Sequence, residues 1–171
     1  MFEAVGVSSP YAVKYRPDAF LYYQISLWQA KEPIKTWPFT NWPARSYRFY
    51  NGDGSLICMR EGGLPVATIR LENYRDGLED FAYARLLEEA VRIREKQANE
   101  IDDPIKLWLN EANAALELSD QFVTSTTDYS RDPKALRQWR RNMAELIVRS
   151  GMAETLNPWG DRFSLRKEEG K

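Results

Sequence analysis

The spacing of apolar residues changes character along the chain near residue 76. Beyond this point apolar side chains recur every three or four positions, which predicts amphipathic α-helices. We expect three long helices, near residues 76–98, 104–125 and 133–150. The first of them carries an apolar stripe that predicts its buried face, made of Leu78, Phe81, Ala82, Leu86, Ala90 and Ile93.

The third predicted helix has the clearest boundaries. Asp132 is a typical N-cap, Pro133 suits the first helical position, and Gly151 is a typical end signal. Its predicted buried residues are Leu136, Trp139, Met143, Leu146 and Ile147.

Short apolar runs before residue 76 predict β-strands instead. We expect strands near residues 20–27, 55–59 and 67–71. The run FLYYQISLW has few polar residues, which is typical of a strand buried on both faces of a parallel sheet. A long segment rich in proline and aromatic residues separates this run from the second strand.

The length and the element pattern predict a single domain over residues 1–171. Residues 10–75 form its strand and aromatic-loop half, and residues 76–150 form its helical half. Residues 157–171 are polar and are expected to be a frayed tail.

An acidic stretch marks the predicted junction between the two halves. Asp76 and Glu79 have the spacing of a helix capping box, which favours a structural role for both carboxylates. Glu72 differs from Asp76 and Glu79. In the alternating stretch IRLE it comes at the end of a predicted strand that leads into a helix. It is therefore the best acidic candidate for contacting a ligand, and a salt bridge to Arg70 or Arg75 is the structural alternative.

Composition limits the chemistry that this chain can perform. Lysine and arginine number 24 against 25 aspartate and glutamate residues, so the overall charge does not favour nucleic acid. There is no histidine, which removes histidine-based nucleophile systems and most zinc sites. We therefore assign no metal site and no cofactor, and any chemistry must use Asp, Glu, Tyr, Lys or Ser. No apolar run is long enough to span a membrane, and the sequence carries no signal for a compartment.

Aromatic residues are concentrated between residues 22 and 50, where flat rings with polar rims suit either loop packing or the apolar faces of sugars. Tyr23 and Trp28, near the end of the first predicted strand, are the best candidates to contact a ligand. Together with Glu72 they make up the predicted substrate-binding set.

Several motifs resemble one known family. GDGSL, PVATIRLENYRDGLEDFAYARLL, VKYRPDAFLYYQISLW and TSTTDYSRDPKALRQWRRNMAELI occur in the order found in the glycoside hydrolase family 123-like catalytic domain, also described as domain of unknown function 4091. The match covers roughly residues 10–150. Tyr23 and Ser26 depart from the tryptophan and asparagine of the family pattern, and Trp28 matches it.

This resemblance implies an α/β fold, namely the C-terminal part of a TIM-like (β/α) barrel with short strands followed by three long helices. It also implies a glycoside hydrolase of the β-N-acetylhexosaminidase type, whose catalytic Asp-Glu pair belongs to a segment that this chain lacks. We therefore assign no catalytic residue and expect the chain to be inactive alone. Whether it belongs to an enzyme stays open; as part of a complete barrel it would be a glycoside hydrolase acting on N-acetylhexosaminides. The alternative is a non-catalytic protein, derived from that fold, that binds a carbohydrate or a protein.

A partial barrel would leave an unpaired sheet edge and an uncovered apolar face. The missing barrel segment, self-association or a protein partner is therefore expected to cover it.

Overall fold

Helices dominate the part of the chain that the structure describes. The computed structural model describes residues 9–16, 25, 45–47, 50, 51, 56–59, 64–97, 103–117, 122–125, 128–130 and 132–156. The helices in these ranges are α1 (Ser9–Tyr15), α2 (Ile69–Gln97), α3 (Asp103–Leu116) and α4 (Pro133–Arg149). The strands are β1 (Arg45–Tyr47), β2 (Tyr50–Asn51), β3 (Ile57–Met59) and β4 (Pro65–Ala67).

The prediction of an α/β fold, as part of a TIM-like barrel, is wrong. Within the described ranges, β1 pairs only with β2 and β3 only with β4, both in antiparallel ladders of two or three residues. A barrel of this type needs parallel strands joined by helices, and these ladders are local pairings between neighbouring strands. The strand predicted near 55–59 is present as β3, whereas the strand predicted at 20–27 lies outside the described residues except for Ile25, which is at a bend.

The strand predicted at 67–71 is also wrong, because α2 begins at Ile69. Thr68 caps the helix: its carbonyl accepts from the N–H of Glu72 at 3.2 Å, and its Oγ1 accepts from the N–H of Arg70 at 3.2 Å. The same hydroxyl donates to the carbonyl of Leu56 at 2.8 Å, which ties the helix start to the β3–β4 hairpin. Asp76, predicted as the N-cap, instead lies inside the helix.

The buried face of α2 is rotated from the predicted stripe. Its buried residues are Gly77, Asp80, Ala84, Leu87, Ala90 and Val91. Of the predicted stripe, Ala90 is buried, Phe81 and Leu86 are partly buried against the core, and Leu78 is exposed. Three other helices pack against α2.

Helices α2, α3 and α4 pack against one another in an up-down-up arrangement. Asp80 lies beside Arg140 and Arg94 beside Ser150, so α2 and α4 run parallel. Trp108 Nε1 donates to the carbonyl of Leu146 at 3.0 Å and Trp139 Nε1 to the carbonyl of Ala115 at 2.8 Å, so α3 and α4 run antiparallel. The buried apolar residues form a core cluster between these helices.

Two segments outside the three-helix arrangement complete this core. The short helix α1 was not predicted, and it contributes the buried side chain of Val13. The second predicted helix extended to residue 125, but α3 ends at Leu116. Phe122 and Val123 still reach the core from the following loop, in which Val123 forms an isolated antiparallel bridge with Tyr129.

The third predicted helix is confirmed at both ends. The Asp132 side chain accepts from the N–H groups of Lys134 at 2.8 Å and Ala135 at 3.3 Å, and Pro133 is the first helical residue. Gly151 follows the helix with φ +72°, a conformation that glycine adopts without steric cost. None of the helices in the described ranges has the length and hydropathy needed to cross a membrane.

The two candidate caps give a direct test of these helix boundaries. Asp132→Ala is expected to lower the free energy of unfolding by about 0.5–2 kcal/mol, because two N–H groups at the start of α4 lose their acceptor. Asp76→Ala is expected to cost less than about 0.5 kcal/mol, because its half-exposed carboxylate lies inside the helix and contacts the exposed Arg75 at 3.5 Å. Urea denaturation of both variants measures the difference, and a larger loss in Asp76→Ala would contradict the assigned start of α2.

Candidate functional site

The predicted substrate-binding set is not brought together within the described residues. Tyr23 and Trp28 lie outside the residues that the structure describes. Glu72 lies in the first turn of α2, and its carboxylate is 2.6 Å from the guanidinium of Arg75. Its predicted position at the end of a strand is therefore wrong, and the salt bridge to Arg75, given as the structural alternative, is present.

The other carboxylates of the acidic stretch are also paired with arginines. Arg75 lies 3.5 Å from both Asp76 and Glu79. Arg140 of α4 forms an ion pair with the nearly buried Asp80 and donates to the carbonyl of Asp76 at 3.2 Å. The hydrogen bond to Asp80 raises the pKa of Arg140 above its ordinary value. These contacts join α2 to α4 and give the stretch a structural role.

Further along α2, acidic residues also pair with arginines on the same surface. Arg92 donates to Glu89 at 2.7 Å, and this hydrogen bond lowers the pKa of the Glu89 carboxyl. Glu88 contacts Arg85 and, from the end of α1, Arg16, each at 2.7 Å. Across the described ranges, no group of three or more histidine, cysteine, aspartate or glutamate side chains is placed to hold a metal ion.

An open groove of about 730 Å³ lies between α3 and α4. Arg140 on α4 contacts α2, whereas Gln138, Asn142 and Glu145 line the groove from nearly the opposite side of α4. The groove therefore lies on the side of the α3–α4 pair that faces away from α2. On α4 its lining runs from Ala135 to Arg149, a length of roughly 21 Å at the helical rise.

Three alanines, two aromatic residues and one leucine form the apolar part of the groove. They are Ala114, Ala115, Phe122, Ala135, Trp139 and Leu146. Trp139 is only 7% exposed and Phe122 only 8%. Little of either ring is therefore accessible from the groove, and the alanines leave the space between the two helices open.

Polar side chains lie along the groove and differ in whether they are paired. Glu111 and Arg149 form an ion pair at 2.6 Å that joins α3 to α4. Gln138 donates to Asn142 at 2.8 Å along α4. The carboxylates of Glu117 and Glu145 have no hydrogen-bond or ion-pair partner among the residues that the structure describes.

A second cavity, of about 140 Å³, lies at the other side of Arg149. It is lined by Arg94, Ile105, Trp108, Arg149 and Ser150. Arg94 donates to the carbonyl of Ser150 at 2.5 Å, at the C-terminal end of α4. This guanidinium satisfies a helix-end carbonyl, which gives the cavity a structural explanation.

The sequence patterns did not indicate the groove. Trp139 and Leu146 were predicted as core residues, and they are buried, but they also border the groove. A usable signal was present in the alanines at positions 114, 115 and 135, because small residues on facing helices leave space where larger ones would fill it.

No protein-family model, curated protein or solved structure matches this chain. The motif resemblance to the glycoside hydrolase family 123-like domain therefore stays a prediction from sequence.

Proposed function

We propose that this protein is a non-catalytic binding protein whose ligand is a helical segment of a partner protein, held in the groove between α3 and α4. The observation that carries this proposal is the groove itself, which is open and roughly 21 Å long. Its length corresponds to about four turns of an α-helix.

The geometry of two antiparallel helices suits a third helix laid between them. Amphipathic helices commonly bind other proteins by inserting their apolar face into such a groove. The alanines at positions 114, 115 and 135 allow a close approach, and a docked helix would complete a four-helix arrangement with α2, α3 and α4. Protein binding is one of the alternatives predicted from the sequence, but a barrel fold is no longer proposed as its origin.

A carbohydrate suits the groove less well. Sugars bind aromatic residues through exposed ring faces, but Trp139 and Phe122 are both more than nine-tenths buried. The Trp139 N–H is also already used, because it donates to the carbonyl of Ala115. A single N-acetylhexosamine would fill only part of a groove of this length.

Hydrolysis of glycosides is also less well supported than binding. Both common mechanisms use two carboxyl groups that flank the scissile bond. Glu72, the acidic residue selected from sequence, is engaged by Arg75 at 2.6 Å. We therefore propose binding as the activity of the chain.

The test uses the full isotopically labelled chain and a panel of synthetic amphipathic helical peptides with one common apolar face. The peptides carry Lys, Gln or Glu at the positions that flank this face. At least one peptide is expected to shift the NMR signals of residues 111–117 and 135–149, including the indole N–H of Trp139. Ala114→Phe, which fills the groove, is expected to weaken binding at least tenfold, whereas Ala153→Phe on the exposed turn after α4 leaves it unchanged.

Three results would contradict the proposal. The first is the absence of binding by every peptide, and the second is binding that Ala114→Phe does not weaken. The third is a saturating response of the same signals to N-acetylgalactosamine or N-acetylglucosamine without any response to peptides. A dilution series of the free protein is included, because concentration-dependent shifts of the groove signals would assign the groove to self-association.

A further inference from the structure

We infer that the groove selects a cationic partner helix, one with two basic side chains about two helical turns apart on its groove-facing side. This inference rests on the proposed function and specifies the chemistry of the partner. It is carried by the charge and the spacing of the groove carboxylates.

The lining of the groove has an excess of negative charge. Its ionisable residues are Glu111, Glu117, Glu145 and Arg149. Arg149 is engaged by Glu111 at 2.6 Å, so this pair contributes little net charge. Glu117 and Glu145 have no cationic partner in the part of the chain that the structure describes.

Other cations of α4 do not line the groove. Lys134, Arg137 and Arg141 are exposed residues that share the outer face of this helix, at spacings of three and four residues. They are not among the residues that line the groove, so its lining keeps an excess of negative charge. A partner helix with basic residues facing inward and acidic residues facing this outer stripe would match both surfaces.

The packing of α3 against α4 fixes the spacing of the two unpaired carboxylates. The indole hydrogen bonds place Ala115 level with Trp139, and Trp108 level with Leu146. In the same antiparallel register, Glu117 lies opposite Arg137 of α4. Along α4, Arg137 precedes Glu145 by about two helical turns. The two carboxylates are therefore separated by roughly 12 Å along the groove at the helical rise of α4.

This separation matches a simple pattern on a partner helix. Residues i and i+7 lie two turns apart, on one face, and are separated by roughly 10.5 Å. Lysine or arginine at both positions would place one cation near each carboxylate while the residues between them fill the apolar part of the groove. Exposed pairs of this kind change affinity modestly, so the expected effect of both together is about two- to thirtyfold.

The experiment compares dissociation constants of three peptides that share one apolar face. One has Lys at i and i+7, the second has Gln at both positions, and the third has Glu. The Lys peptide is expected to bind about two- to thirtyfold more tightly than the Gln peptide, and the Glu peptide more weakly than either. The advantage of the Lys peptide is expected to shrink as salt is raised, because exposed charges are screened.

Isosteric variants assign the effect to the two carboxylates. The Glu117→Gln/Glu145→Gln double variant is expected to bind the Lys and Gln peptides equally, with its affinity for the Gln peptide unchanged. Glu95→Gln, at an exposed site in the last turns of α2, serves as the matched control and is expected to keep the full preference. A second Lys peptide, with the basic residues at i and i+5, is expected to lose most of the advantage.

The outcomes separate the two proposals. Equal binding of all three peptides in the groove, or a preference for the Gln or Glu peptide, would overturn the charge selection and leave the binding function standing. A preference that persists in the double variant would also overturn it. Failure of every peptide to bind would remove the proposed function itself.

Discussion

Replacing Arg140 with alanine is expected to lower the free energy of unfolding by about 2–4 kcal/mol. The guanidinium is the ion-pair partner of Asp80, whose side chain is only 11% exposed in the core-facing line of α2. Without Arg140 this carboxylate would lose the ion pair that compensates for its burial. Loss of one partner from a buried pair typically costs ~3–5 kcal/mol, and the 31% exposure of Arg140 reduces the expected value.

Urea denaturation followed by far-UV circular dichroism measures this loss. Arg75→Ala is the matched control, because Arg75 also contacts three carboxylates but is largely exposed, and it is expected to cost less than about 1 kcal/mol. The Asp80→Leu/Arg140→Met double variant is expected to regain part of the stability, because it leaves no unpaired charge. Equal effects of Arg75→Ala and Arg140→Ala would show that the Asp80–Arg140 pair is not a structural link between α2 and α4.

Leu87→Ala is expected to lower the free energy of unfolding by about 2–5 kcal/mol. Leu87 is 0% exposed and belongs to the core cluster of α2, α3 and α4. Truncation removes buried methyl groups and leaves a cavity that the surrounding helices fill only in part.

The same denaturation assay compares Leu87→Ala with Leu107→Ala on α3. Leu107 is 57% exposed, so its truncation is expected to change stability by no more than about 0.5 kcal/mol. A small effect at Leu87 together with a large one at Leu107 would place the buried face of the helices elsewhere.

The parts of this fold that were predictable are those with local signals. Both ends of α4 follow from Asp132, Pro133 and Gly151, each of which acts on backbone within a few residues of itself. The strand at β3 follows from a short apolar run. The ends of α4 and the strand β3 could therefore be predicted without knowing which other elements they pack against.

The start of α2 was not predictable from local signals, because two positions compete for it. Thr68 and Asp76 both have side chains that cap helices well. The hydrogen bond from Thr68 to Leu56 favours the earlier start, and it joins residues that are twelve apart in sequence. The apolar run ATIRL predicted a strand, where the structure has the end of a hairpin and the first turn of a helix.

The buried face of α2 and the groove both depend on distant residues. The buried position of Asp80 depends on its ion pair with Arg140, which lies sixty residues later in the sequence. The groove depends on alanines of α3 and α4 that line one space only after the helices have packed. Sequence patterning predicted Trp139 correctly as buried, but the space beside it is a property of the pair of helices.

The contact of α2 with α4 has a consequence for the synthesis of this chain on the ribosome. The side chains of α4 that cover α2, including Arg140 and Met143, are translated well after Gln97 ends α2. At ordinary elongation rates the interval is roughly 3–10 s, during which Leu87 and its neighbours have no covering helix from α4. A nascent chain whose residues 133–149 have not yet emerged from the ribosome therefore exposes the face of α2 that α4 covers, and this face is buried once α4 has emerged.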